Sequence, residues 1–194
     1  MRGHGIPPQV VLCAVLLGAP APLASADDVP LTDLVFVTDA QEDWYADGCY
    51  CISAIDARSG GGIAYSQHVQ TTGRIAVASD ASIVVATTSS ALVTLARSPS
   101  APTGWRSEII GSVEGDGRRA IAMSPDDQVL LFAVGTGMTI TKHRVAEARA
   151  GRMAPPIGSV SVERGPVADI VFDGDARTAY VVTAGGEVRV LDAE

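Results

Sequence analysis

One pattern recurs along this chain, with spacings of 46 and 49 residues between its central Asp80, Asp126 and Asp175. Each copy is an apolar run, a polar turn around the Asp, and a second apolar run rich in Val, Ile and Thr. The copies lie at Arg74 to Thr87, Arg119 to Phe132 and Val167 to Val182. A fixed period of this length marks an array with one small sheet per repeat. Such a sheet has no core by itself and buries its faces only against neighbouring sheets.

Strand-like segments fill most of the remaining chain, divided by Gly, Pro, Ser and Asp clusters. Short Val/Ile/Thr runs at this spacing predict an all-β chain of about fourteen strands. They fall into units of about 31–73, 74–117, 118–165 and 166–194. With the strands of a unit labelled a to d, the second unit offers Ile75 to Ser79, Ile83 to Thr88, Leu92 to Arg97 and Ser107 to Val113. The third offers Ala120 to Ser124, Val129 to Val134, Met138 to Val145 and Ile157 to Val162. The first unit begins at strand b, with Leu34 to Thr38, Cys51 to Asp56 and Ile63 to Val69. The last supplies a, b and c, with Val167 to Phe172, Ala179 to Thr183 and Val188 to Asp192. Only Val145 to Arg152 favours a turn of helix.

Ser124-Pro125-Asp126-Asp127, Tyr180-Val181-Val182-Thr183, Ile52 to Gly60 and Val188 to Asp192 resemble elements of the YVTN-type β-propeller repeat. These are its Ser-Pro-Asp-Gly turn, its Tyr-Val-x-Asn strand and its Val-x-Val-Ile-Asp-x-x-x-Gly strand and turn. Asp127 stands where the repeat has glycine, and Thr183 where it has Asn. The resemblance covers nearly all of the chain after its leader and implies a β-propeller of about four blades, the first without strand a and the last without strand d. The family's usual ring has seven blades. Three readings stay open: a truncated gene product, a half-propeller that pairs with another copy, and a compact four-bladed ring with an imperfect seam. Physically, an Asp at the a-to-b turn can accept a hydrogen bond from the amide two residues on, and Pro125 fixes φ there.

Arg2, the apolar stretch Val10 to Gly18 and the small residues Ala24-Ser25-Ala26 read as a signal peptide over residues 1–26, which makes the product periplasmic or secreted. Bulky Val10, Val11 and Leu12 ahead of Cys13 argue against a lipid anchor at that cysteine. No apolar stretch approaches the roughly 20 residues of a membrane span. With 22 acidic and 14 basic residues the chain carries a formal charge of −8, which disfavours nucleic acid as a partner. Lys142 is its sole lysine.

The letters Gly115-Asp-Gly-Arg-Arg-Ala120 fit a dinucleotide-binding turn, but a strand follows where a helix is required, so a linking turn is the better reading. Gly60-Gly61-Gly62 reads as a hairpin turn. After the leader, His68 and His143 stand singly in strand-like runs and read as surface or inter-blade residues rather than metal ligands. The acidic loop from Asp39 to Asp47, followed by Cys49 and Cys51, departs from the repeat by insertion. It is compatible with calcium ligation, with an intramolecular or intermolecular disulfide, or with an ordinary solvated loop. Cys49 and Cys51 are awkward partners, because residues i and i+2 of a strand lie about 7 Å apart.

No catalytic, cofactor-binding or metal residue is assigned from these features. They predict an exported, non-catalytic repeat protein that presents loops to a protein or small ligand, with self-association to complete the ring as a further expectation. By analogy of fold, the alternative is a fragment of a propeller enzyme, such as a lactonase or the large subunit of a quinone-dependent amine dehydrogenase.

Overall fold

The computed structural model describes residues 34–37, 50–60, 62–67, 74–87, 91–102, 104–112 and 120–193. They form four antiparallel sheets that follow one another along the chain. The first holds β1 (Leu34–Val37), β2 (Tyr50–Asp56) and β3 (Gly62–Gln67). The second holds β4 (Ile75–Val77), β5 (Ile83–Thr87), β6 (Ala91–Arg97) and β7 (Trp105–Ser112). The third holds β8 (Ile121–Met123), β9 (Val129–Val134), β10 (Thr139–Arg144) and β11 (Gly158–Ser161), with α1 (Val145–Arg149) between its last two strands. The fourth holds β12 (Val167–Phe172), β13 (Thr178–Thr183) and β14 (Val188–Asp192). Every strand pairs with its sequence neighbour, so each sheet is a meander of hairpins.

The expected strands are present with shifted ends. β7 begins at Trp105, earlier than the Val/Ile pattern suggests, because Trp105 pairs with Arg97 to close the hairpin. β4 and β8 are shorter than expected because Ala78 and Ser124 already belong to the following turns. The helix turn stops at Arg149 in a Schellman arrangement: Gly151 takes φ +75°, its amide donates to the Ala148 carbonyl, and the Arg152 amide donates to the Glu147 carbonyl.

The repeated Asp does the same thing three times. The amides of Ser82, Gln128 and Arg177 donate to Oδ1 of Asp80, Asp126 and Asp175 at 2.9, 3.1 and 2.8 Å. In each turn the residue after the Asp is left-handed: Ala81, Asp127 and Ala176 have φ of +52°, +58° and +62°. The Asp side chain satisfies a turn amide that no strand partner reaches, which offsets part of that backbone cost.

Alternation along each strand explains the packing. Val84 and Ala86 of β5 meet Ile52 and Ala54 of the first sheet, whereas Ile83 and Val85 point the other way, onto Leu130 and Phe132 of the third. Leu131 and Ala133 of β9 then face Ile170, Ala179 and Val181 of the fourth. β5, covered on both faces, is buried at every position, while β13, covered on one, alternates buried and exposed. Three apolar layers thus join four sheets in chain order. Fully burying a Leu or Val side chain contributes about 1.5–3 kcal/mol, so these layers supply the main favourable term. The first strands of successive sheets also adjoin, β4 against β8 and β8 against β12. At this edge Arg74 reaches past the third sheet to Asp169 of the fourth, 2.7 Å away. Among the described residues no helix is long and apolar enough to cross a membrane.

Candidate functional site

A cleft of about 680 Å³ opens between the third and fourth sheets at the end where the Asp turns lie. Its sides come from the β8–β9 turn (Asp126, Gln128), from β10 (Lys142, Arg144) and from the β12–β13 turn (Asp175, Arg177). Lys142 and Arg144 reach it because they share a strand face with Ile140, which packs toward the fourth sheet. A second cavity of about 190 Å³ adjoins it, sharing Lys142 and Ile157; Leu131, Ile140, Val160 and Leu191 line it, with Ser159 and Asp192 at its side.

The two carboxylates of the cleft are engaged locally. Asp126 Oδ1 accepts from the Ser124 hydroxyl at 2.5 Å and from the Gln128 amide, and Asp175 Oδ1 accepts from the amides of Arg177 and Thr178. Three cationic side chains share the same cleft. Glu147 lies near Arg144, but its carboxyl is held below the usual carboxylate range chiefly by its hydrogen bond from Arg152. The arrangement therefore suits an anionic group at the mouth and an apolar body in the adjoining cavity.

The residues singled out from sequence go elsewhere. His143, on the opposite face of β10 from Lys142, is 5% exposed and stacks on Phe132 with ring centroids 4.9 Å apart. Its Nδ1 lies 3.1 Å from the Ala154 carbonyl, which can only accept, so that nitrogen carries the proton. Nε2 is buried with no hydrogen-bond partner. Burial holds this imidazole below its ordinary pKa, against a smaller opposing effect of the Ala154 carbonyl.

Gly60 takes φ +70° in the β2–β3 hairpin, as expected, and Asp56 there accepts from the Ser59 hydroxyl and the Arg58 amide. The Ser59 bond is the main cause of the lowered pKa of Asp56. The Asp39 to Asp47 loop, Cys49, His68 and Gly115 to Arg119 lie outside the described residues, as does the leader. Cys51 is placed in β2 by its backbone alone. Among the described residues no group of three or more His, Cys, Asp or Glu side chains is gathered for a metal. In the sequence Lys142 stands out as the lone lysine, and Asp126 and Asp175 as turn residues. Nothing local brings them together, because Lys142 and Arg177 line one cleft only once two sheets pack.

No protein-family model and no curated protein matches the sequence. Among solved structures the chain is similar to hydrazine synthase of Kuenenia stuttgartiensis, with a TM-score of 0.60 at 14% identity. The match covers 84% of this chain and 44% of that one, so this chain spans less than half of that relative's length, and the likeness is one of fold alone.

Proposed function

We propose that the four sheets are successive blades of a propeller-like array of the YVTN kind, and that the chain is an exported, non-catalytic binding protein. The export reading rests on the leader-like segment Val10 to Ala26. The repeated Asp turns and the chain-order stacking of sheets support the array.

The observation that carries the functional reading is the cleft between the third and fourth sheets. It sets Lys142, Arg144 and Arg177 beside a mainly apolar cavity that Asp192 also borders, and the cleft's own carboxylates, Asp126 and Asp175, are engaged by their turns. Groups engaged in that way favour holding a ligand over moving protons. The ligand class is an amphipathic carboxylate, with its anionic end among the three cations.

Titration calorimetry with octanoate, and octylammonium as the cationic control, tests this. Octanoate alone should bind, more weakly as salt is added, and Lys142→Glu or Arg144→Glu should weaken it by about tenfold or more. Equal affinity for both probes, or none for octanoate, contradicts the proposal.

A further inference from the structure

Among the described residues nothing covers one face of the fourth sheet, and the middle of that face is apolar, with Asp169, Thr178 and Asp192 at its ends. Val171, Tyr180, Val182, Val188 and Val190 are between 37% and 65% exposed. The register makes them one patch: Tyr180 sits between Val171 and Val190, and Val182 lies opposite Val188. Exposed apolar patches of this kind are uncommon on isolated chains and mark contact surfaces.

The repeat says what kind of surface belongs there. With Asp175 aligned on Asp126, Tyr180 and Val182 occupy the places of Leu131 and Ala133, and Val188 occupies that of Ile140. In the third sheet those three residues are 4%, 0% and 2% exposed, because the fourth sheet covers them. The patch is thus the continuation of an interface the molecule already makes three times, and its complement is another sheet of the same repeat. Among the described residues the first sheet has such a face to spare: Val35 is 45% exposed and lies opposite Ile55 on the side turned away from the second sheet.

We propose that two copies of this chain associate head to tail, with the fourth sheet of each packed on the first sheet of the other. A head-to-tail contact closes or runs on as a fibre according to the turn it imposes. Here the array curves tightly, since β4, β8 and β12 adjoin in succession and Arg74 bridges to Asp169 across the intervening sheet. That curvature favours a closed pair with two equivalent junctions. The patch lies on the opposite side of the fourth sheet from the cation-lined cleft, so pairing leaves the cleft open.

Sedimentation equilibrium on the wild-type protein, Val190→Glu, Val35→Asp and an equal mixture of the two variants tests this. Both substitutions fall on exposed side chains, and circular dichroism confirms that each variant is folded. The wild type should have twice the chain mass. Each variant alone should dissociate, with association weakened by roughly tenfold or more, because a charge would be buried against an apolar face at both junctions. The mixture should regain part of the association, weaker than that of the wild type, since the intact first sheet of Val190→Glu can meet the intact fourth sheet of Val35→Asp at one junction while the other, with two acidic side chains, stays open. A monomeric wild type, a mass that keeps growing with concentration, a pair untouched by either variant, or a mixture that associates no better than either variant alone would each overturn the proposal.

Discussion

Asp127 accepts hydrogen bonds from both the amide and the hydroxyl of Ser79, at 2.8 and 2.7 Å, across 48 residues of chain. The two residues belong to equivalent turns of adjacent sheets, so the repeat is clasped to itself at its turn as well as through its apolar faces. Arg149 stands over the same junction: it donates to the Ser82 hydroxyl and lies 3.5 Å from Asp80 and 3.9 Å from Asp127. The Asp80 carboxyl titrates low even though burial opposes this, because bonds from Ser82 and the charge of Arg149 outweigh it. Glycine would suit the left-handed backbone at position 127 better. Asp127 gives up that ease for a contact with the preceding unit.

Replacements at position 127 therefore rank in a specific order. Asp127→Ala keeps a Cβ at φ +58° and loses both bonds, and should destabilise by about 1–3 kcal/mol. Asp127→Gly loses the bonds but relieves the backbone, and should cost less. Asp127→Asn keeps an acceptor and should cost least. Urea unfolding of the three variants reads the order directly.

Stability should fall as pH drops below neutrality. The folded protein holds His143 below its ordinary pKa of 6.5, so the unfolded chain takes up the proton first. The contribution is complete above about pH 6.5 and is lost as pH falls toward the folded value. His143→Gln, neutral throughout and still able to donate to Ala154, should show a flatter urea midpoint between pH 7 and pH 5. Equal slopes in the two proteins would remove His143 as the cause.

Two glycines should respond oppositely to alanine. A Cβ on Gly185 would lie 2.5 Å from the Arg164 carbonyl oxygen, whereas one on Gly174 meets nothing within 4 Å. Gly185→Ala should cost roughly 1–3 kcal/mol through displaced backbone. Gly174→Ala should be neutral, or stabilising by up to about 1 kcal/mol. Thermal unfolding separates the two outcomes.

Within the strands, position decides the cost. Leu130, fully buried between the second and third sheets, should lose about 2–5 kcal/mol on replacement by Ala. Ile109, 56% exposed on β7, should change stability by no more than about 0.5 kcal/mol on the same replacement. Denaturant midpoints of the two variants check the assignment of faces.

Much of the architecture was legible in the residues, because it is written in local chemistry. The strands announce themselves by Val, Ile and Thr runs between turns, and Asp80, Asp126 and Asp175 each bond the amide two residues on, as an Asp in such a turn is expected to do. Relations between sheets were not legible. The clasp from Asp127 to Ser79 and the sharing of one cleft by Lys142 and Arg177 arise from packing, which no local pattern encodes. His143 shows the same limit. Flanked by Lys142 and Arg144 in sequence, it is nonetheless buried, because alternation turns it to the face that meets Phe132 and the segment around Ala154.

The four sheets pack serially, each against its chain neighbours. Methyl NOE spectroscopy on Ile, Leu and Val groups measures this most directly. Three networks should appear: Ile52 with Val84, Val93 and Leu95; Ile83 and Val85 with Leu92 and Leu130; and Leu131 and Ile140 with Ile170 and Val181. Cross-peaks joining Ile52 to Val181, or Val84 to Ile170, would place sheets that are not chain neighbours in one shared core and contradict the serial arrangement.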